Sequence, residues 1–217
     1  MVLLILAACS GTGKGAVGAR LRARNPALRL SVSHTTRAPR PGERDGVEYH
    51  FVDRPAFERA IEADGFLEWA EYAGNLYGTA RATVDAARAA GHDLLFDVEV
   101  QGAANLKRAE PAAVSIFLLP PTWVELERRL RGRGTEDAAR IQRRLATGRR
   151  ELDAAPSFDY VVVNDVLDVA VAEVEGIYRS AGLRTPERVH VVDALRREAA
   201  AALRPGAEVA ATAERAT

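Results

Sequence analysis

The chain has 217 residues, 47% of them hydrophobic and 28% charged, with acids and bases cancelling to zero formal net charge at pH 7. That length fits one domain with small inserted lobes, and the apolar fraction is enough for a sizeable core. The charge balance gives no bulk attraction to nucleic acid or to an anionic membrane surface, so neither is expected as a partner. Cys9 is the only cysteine, which rules out an intrachain disulfide and makes a reducing cytoplasm the expected location. The apolar run at 2–9 is too short to span a bilayer and lacks a basic leader, so no membrane span or signal peptide is expected. All thirty basic residues are arginine except Lys14 and Lys107, so the arginines have to be judged by position.

The first predicted strand runs straight into Ser10-Gly11-Thr12-Gly13-Lys14-Gly15-Ala16. Strand, Gly-rich turn, lysine and helix is the order of a phosphate loop: backbone N–H groups converge on an anion, the helix N-terminus adds its dipole, and the lysine reaches the outer phosphates. The strict pattern G-x-x-x-x-G-K-S/T fails at Ala8 and at Gly15, and Ala16 has no hydroxyl either. An ordinary Gly turn after a buried strand is the competing reading.

Asn25-Pro26 ends the first helix, and 28–33 reads as a second strand. The loop from Ser33 to Phe51 is basic and rich in hydroxyls, and its end alternates at Val47, Tyr49 and Phe51. Arg37 and Arg40, three apart and held by prolines, suit a phosphate or carboxylate clamp. A solvated basic loop is the plainer alternative. Asp53 can cap a helix that stops at Gly65, and 66–79 reads as two strands joined by a Gly-Asn turn. Glu68 lies between apolar neighbours there, either facing outward or reading a base edge.

A helix over 80–90 leads to the near-continuous apolar strand 93–98, as expected at the centre of a parallel sheet. Asp97 sits at its carboxyl end, where α/β sheets hold ligands, and is the first choice to hold Mg²⁺ through water; an ordinary surface carboxylate at a strand end is the equal alternative. Strand 114–119 breaks at Pro120-Pro121, and Thr122 with Glu125 makes a capping box. The arginines from Arg128 to Arg150 are either a solvated charged hairpin, offset in part by Glu125, Glu127, Glu136, Asp137 and Glu151, or a lid that closes on phosphates. Strand 160–163 ends at Asn164, another ligand-side position. A closing helix follows, then a possible short strand at 188–192, an Ala-rich helix at 194–204 and a low-complexity tail.

Four segments together resemble the guanylate kinases of the nucleoside monophosphate kinase group. They are Ser-Gly-Thr-Gly-Lys at 10–14; the run from Ser33-His34-Thr35-Thr36-Arg37 to Tyr49 and Phe51; Phe66-Leu67-Glu68-Trp69 through Asn75, Tyr77, Gly78 and Thr79; and 133–145 with Val163-Asn164-Asp165. The resemblance covers roughly residues 2–182 in unbroken order; the second and third segments are highly specific, while the phosphate loop is shared with many families. It implies an α/β P-loop three-layer fold with a central parallel sheet, a small inserted GMP-binding lobe and a helical lid. The implied boundaries are a kinase domain over 1–184, with core 1–33, 81–123 and 157–184, lobe 34–80 and lid 124–156, followed by an extension over 185–217.

The resemblance also implies transfer of the γ-phosphate of ATP to GMP, and to dGMP, with Mg²⁺ accompanying ATP, in a monomer or homodimer. ATP is then expected at Ser10, Gly11, Thr12, Gly13, Lys14, Gly15, Ala16 and Asn164. GMP is expected at Ser33, Arg37, Arg40, Tyr49, Glu68, Tyr77 and Thr79, with Glu99 in support. Lys14, Arg37, Arg133 and Arg144 are expected to act in catalysis, and Asp97 toward the metal. Family members often carry Asp where Glu99 stands, and hydroxyls at the positions of Gly15 and Ala16; Ala8 is expected to strain the start of the loop. Two rivals stand beside this reading: an inactive kinase-like module that binds protein, and a ribose bisphosphate kinase on the same scaffold, which leaves Glu68 and Thr79 without a role.

Overall fold

The computed structural model describes residues 1–132 and 138–203. Its first strand, β1 (Leu3–Ala8), is buried from end to end. Both faces are covered, so the sequence there is apolar throughout and does not alternate. The chain continues through α1 (Lys14–Arg24), β2 (Leu28–Leu30), β3 (His34–Thr35), β4 (His50–Phe51), α2 (Arg54–Glu62), β5 (Phe66–Tyr72), β6 (Asn75–Ala80) and α3 (Arg81–Ala90). Then follow β7 (Asp93–Asp97), α4 (Val100–Ala109), β8 (Val114–Leu119), α5 (Trp123–Arg131), α6 (Ala138–Leu152), β9 (Tyr160–Val163), α7 (Leu167–Ala181) and α8 (Thr185–Ala202). The described residues form two compact units, 1–178 and 179–203.

The main sheet has the order β2-β7-β1-β8-β9, every pair parallel. On one face of β1, Leu3, Ile5, Ala7 and Cys9 pack into a cluster with Val84 and Ala87 of α3, Ala103 and Leu106 of α4, and Leu126, Leu130, Ile141 and Leu145 of α5 and α6. On the other face Gly18 of α1 backs onto Leu95 and Leu6, where a Cβ would sit 3.3 Å from Leu95. α7 lies beside α1 through Asn25–Glu175 and Arg24–Asp168 hydrogen bonds, both 3.1 Å. Helices on both faces of a parallel sheet make the three layers. β1 and β7 are neighbours with Leu6 opposite Asp97, so the loop after β1 emerges next to the carboxyl end of β7.

A second sheet, β4-β3-β6-β5, builds the inserted lobe. Its small core is Phe57, Phe66 and Leu76, with the two phenylalanine rings stacked at 4.3 Å. Gly78 is required there, because a Cβ would lie 2.9 Å from both rings.

Several local expectations are corrected. The β5–β6 turn is Ala73-Gly74, with φ of 50° and 77°, and Asn75 already pairs with Tyr72. Two consecutive left-handed residues match the twist of a tight hairpin better than Gly-Asn would here. Asp64 at φ 50°, not Gly65, takes the left-handed position after α2; Gly65 lies against the Ala60 carbonyl, where a Cβ would meet it at 3.1 Å. The alternation at Val47, Tyr49 and Phe51 yields only His50–Phe51 as strand, because Gly46 N–H turns back to the Tyr49 carbonyl at 2.8 Å. Residues 188–192 are helical within α8, which opens on Pro186 and runs into alanines that favour a helix over the local valines. Ala8 is not strained: it pairs with Leu118 and is not among the positive-φ residues. Asp53 caps α2 through the Ala56 N–H, as expected. Thr122 caps α5, but Glu125 turns to Arg128 and Arg129 and does not close a box.

Candidate active site

A cleft of about 1290 Å³ opens where the loop after β1, the 33–41 segment, the β5–β6 hairpin, the end of β7 and helix α6 meet. One small-molecule site usually occupies about 300–1,000 Å³, so this cleft has room for two ligands. Ser10, Gly11, Gly13, Lys14, Gly15 and Ala16 line one end. Ser33, Arg37, Arg40, Tyr49, Glu68 and Tyr77 line the other, with Asp97, Glu99 and Arg144 between. Thr12, Thr79 and Asn164 are buried behind the walls. Arg133 lies outside the described residues.

The loop has the conformation its glycines allow. Gly11 and Gly13 take φ of 98° and 99°, and a Cβ on either would come within 2.7 Å of Leu130 or Asn164. The buried Asn164 amide donates to the Thr12 carbonyl at 2.7 Å, so Asn164 holds the loop from behind. Arg129 of α5 donates to the Asn164 carbonyl at 2.9 Å. Lys14 reaches across to Asp97 at 2.9 Å, with Glu99 at 3.8 Å. Burial opposes its charge, but the Glu99 and Asp97 carboxylates prevail and hold its pKa above the usual lysine value.

Two oxygen donors at the carboxyl end of β7 suit a hard cation. Among the described residues no three His, Cys, Asp or Glu side chains gather as a closed metal cage. Asp97 and Glu99 here face Lys14, and the Asp97 carboxylate is of the kind that could meet a Mg²⁺ through water.

At the far end Arg37 is clamped by Glu43 at 2.9 Å and lies over the Tyr49 ring at 5.3 Å. The Glu43 partner raises the Arg37 pKa and is itself held below the usual carboxylate range. Glu43 also accepts from the Arg40 N–H at 2.7 Å, which ties the two arginines into one unit. Glu68 is only 8% exposed and accepts the Thr79 hydroxyl at 2.8 Å. Burial pushes its carboxyl up to about 7 against the pull of the Thr79 hydroxyl and N–H. The outward-facing alternative for Glu68 therefore fails.

The two readings of the arginine-rich hairpin divide between its helices. On α5, Arg128 pairs with Glu125 and Arg131 with Glu127, each at 2.6 Å, as on a solvated charged helix. On α6, Arg143, Arg144 and Thr147 face the cleft. Glu151 is no surface counter-charge; it is buried and accepts from the Ser10 N–H at 3.3 Å.

Sequence reasoning missed Gly102 and Tyr72. Gly102 borders Glu68, and a Cβ there would lie 3.5 Å from its Oε2. Tyr72 lines the cleft, and burial pushes its hydroxyl up to about 12. Neither residue type signals such a place by spacing; for Gly102 it is the approach of α4 to β5 that creates it.

A parallel α/β core with a Gly-rich phosphate loop, an arginine clamp opposite it and a helix arching over both defines a P-loop kinase for a small phosphorylated acceptor. The model of the family "Guanylate kinase" matches residues 1–181. A guanylate kinase from Thermus thermophilus is 51% identical over 199 residues, covering 91% of this chain and 90% of that protein. Guanylate kinase from Anaeromyxobacter dehalogenans is 49% identical over 206 residues, covering 92% and 91%. The crystal structure of guanylate kinase from Anaplasma phagocytophilum superimposes with a TM-score of 0.71 at 32% identity, covering 85% of this chain and 87% of that one. The chain belongs to the guanylate kinase family.

No helix among the described residues is long and apolar enough to cross a membrane.

Proposed function

We propose that this cleft transfers the γ-phosphoryl group of ATP to GMP, with the donor on the loop after β1 and the acceptor in the inserted lobe. The observation that carries the acceptor's identity is the buried Glu68 in the cleft wall, held from behind by the Thr79 hydroxyl. Guanine presents N1–H and the 2-amino group side by side, and one carboxylate accepts both. Adenine presents neither, so it would leave a buried acid unpaired at a cost of several kcal/mol, roughly 10²-fold or more in selectivity. In this reading 34–80 is the acceptor lobe and 124–156 the lid.

The division of labour follows from charge and position. The N–H groups of 11–16 and the start of α1 receive the donor phosphates, and Lys14 neutralises the outer ones. Asn164 and Thr12 serve ATP indirectly by fixing the loop. Arg37 and Arg40, with Tyr49 and Tyr77, hold the acceptor phosphate; Ser33 and Thr79 assist Glu68 at the base, and Glu99 stands in support. Mg²⁺ supplies positive charge on the donor phosphates when bound, with Asp97 toward it through water. Phosphoryl transfer needs two polyanions held in line with charge on the migrating group, and Arg144 comes from α6 to complete that ring. Closing α6 over the cleft also excludes water as a competing acceptor.

A coupled assay over GMP, dGMP, AMP and ribose phosphates tests this. Turnover with GMP and dGMP, and little with the others, is the expected result. Turnover of a ribose phosphate, or none on any acceptor together with no binding of GMP by calorimetry, overturns it.

A further inference from the structure

Two consecutive residues at the start of the phosphate loop are joined to three positions on one face of α6. Arg144 donates to the Ser10 hydroxyl through Nε at 3.1 Å and Nη2 at 2.6 Å. Cys9 donates its thiol to the Gly148 carbonyl at 3.4 Å. Ser10 N–H donates to Glu151 Oε2 at 3.3 Å. Positions 144, 148 and 151 are spaced i, i+4, i+7, so they lie in one row along two turns of helix. The helix's own surface needs are met elsewhere, since Arg149 pairs with Asp153 at 2.8 Å. Glu151 is only 8% exposed, and a buried acid is costly unless it is paired or hydrogen-bonded, as Glu151 is through Ser10 N–H. Neither base recognition nor the Mg²⁺ side of the cleft uses it.

We propose that Glu151 is a positioning residue for phosphoryl transfer: by accepting from Ser10 N–H it fixes α6 on the start of the phosphate loop and so sets Arg144 at the cleft. The role in transfer rests on the kinase reading above; the grip of α6 on the loop does not. Ser10 directly precedes Gly11, whose left-handed φ of 98° begins the curl of the loop. A partner on Ser10 N–H therefore orients the loop at the point where it turns. Without the carboxylate, Ser10 N–H loses its acceptor; of these polar ties α6 keeps the thiol contact and Arg144, beside the packing of Ile141 and Leu145 in the cluster with Cys9.

The chain carries its own reporter. Cys9 is the single cysteine, is 1% exposed at the cleft wall and donates its thiol to the Gly148 carbonyl, so lifting of α6 uncovers it. The full chain, without nucleotide, is treated with a chromogenic disulfide reagent under native conditions, comparing wild type with Glu151→Ala, Glu151→Asp and Glu151→Gln. Thermal unfolding of each variant establishes that it is folded. Labelling of Glu151→Ala is expected to be about tenfold faster or more, because local opening has lost one of its restraints and the thiol has lost a neighbouring negative charge. Glu151→Asp, shorter by one methylene, is expected to label faster than wild type. Glu151→Gln, whose amide oxygen still accepts from Ser10 N–H, is expected to label more slowly than Glu151→Ala; both lose the carboxylate charge that pushes the Cys9 thiol up, so the difference between them reads the hydrogen bond alone. In steady-state assays kcat of Glu151→Ala falls about tenfold or more while KM for GMP holds, because the acceptor lobe is untouched.

A wild-type labelling rate in folded Glu151→Ala overturns the proposal, as does a Gln variant no better than the Ala one. If Glu151→Ala does not fold, Glu151→Asp carries the test, with a wild-type labelling rate overturning it. Failure of the acceptor panel on GMP would leave the labelling result standing, so the two readings fail separately.

Discussion

Replacing Glu68 by Gln should weaken the enzyme on GMP and stabilise the empty protein, and both effects come from one buried carboxyl. Folded, the group holds its proton up to about 7 because burial penalises the charge; its ordinary value is 4.5. Between those values the unfolded chain binds fewer protons than the folded one, so stability falls as pH rises through that window. At about 1.36 kcal/mol per pKa unit, the loss at pH 8 reaches about 3 kcal/mol as an upper bound. Gln keeps the shape and an acceptor for Thr79 but has no charge to desolvate. Unliganded Glu68→Gln should therefore melt higher than wild type at pH 8, by up to about 10 °C for a chain of this size, with the gap closing toward pH 5. Scanning fluorimetry at the two pH values measures this.

On the functional side, only the ionised carboxylate accepts both guanine donors. Wild-type kcat/KM for GMP should rise as pH climbs through about 7, and the Gln variant should lose that rise. Two charge-assisted hydrogen bonds at about 1.5–3 kcal/mol each imply a loss on GMP of roughly 10²- to 10⁴-fold. Activity on AMP should not fall with it. An equal loss on every acceptor, or an unchanged melting temperature at pH 8, would refute the argument that this acid is both buried and the reader of guanine.

Ala16→Thr adds a hydroxyl on the exposed first turn of α1 at the cleft wall. It should lower the ATP KM about two- to fivefold, the worth of one exposed hydrogen bond; an unchanged or higher KM shows that a hydroxyl at this position does not help hold ATP. Asn164→Ala removes the buried donor to the Thr12 carbonyl. It should cost about 1–3 kcal/mol of stability and raise the ATP KM while leaving the GMP KM alone; a wild-type melting curve would show that the loop does not depend on that tether.

The phosphate loop was legible in sequence because its conformation is local. Two left-handed glycines, a preceding buried strand and a helix-starting lysine are all set within fifteen residues, and Gly11, Gly13 and Lys14 stand as those rules predict. Helix caps and buried strands were legible for the same reason: Asp53 and Thr122 act on N–H groups three residues away. Turn detail was less secure, since Ala73 and Asp64 adopt left-handed φ that composition does not announce.

Tertiary structure alone decided the rest. Whether Glu68 points outward or inward depends on which face of β5 the rest of the protein covers, and α4 settles it by bringing Gly102 against that carboxylate. The meeting of Lys14 with Asp97 depends on β1 and β7 being neighbours although more than eighty residues separate them. Glu151 read as one more acid among arginines until the fold laid α6 across the start of the loop. Local rules fix what a short segment can do with its own hydrogen bonds and side-chain direction. Long-range packing fixes which groups lose their water, and the chemistry of this cleft is set by the groups that did.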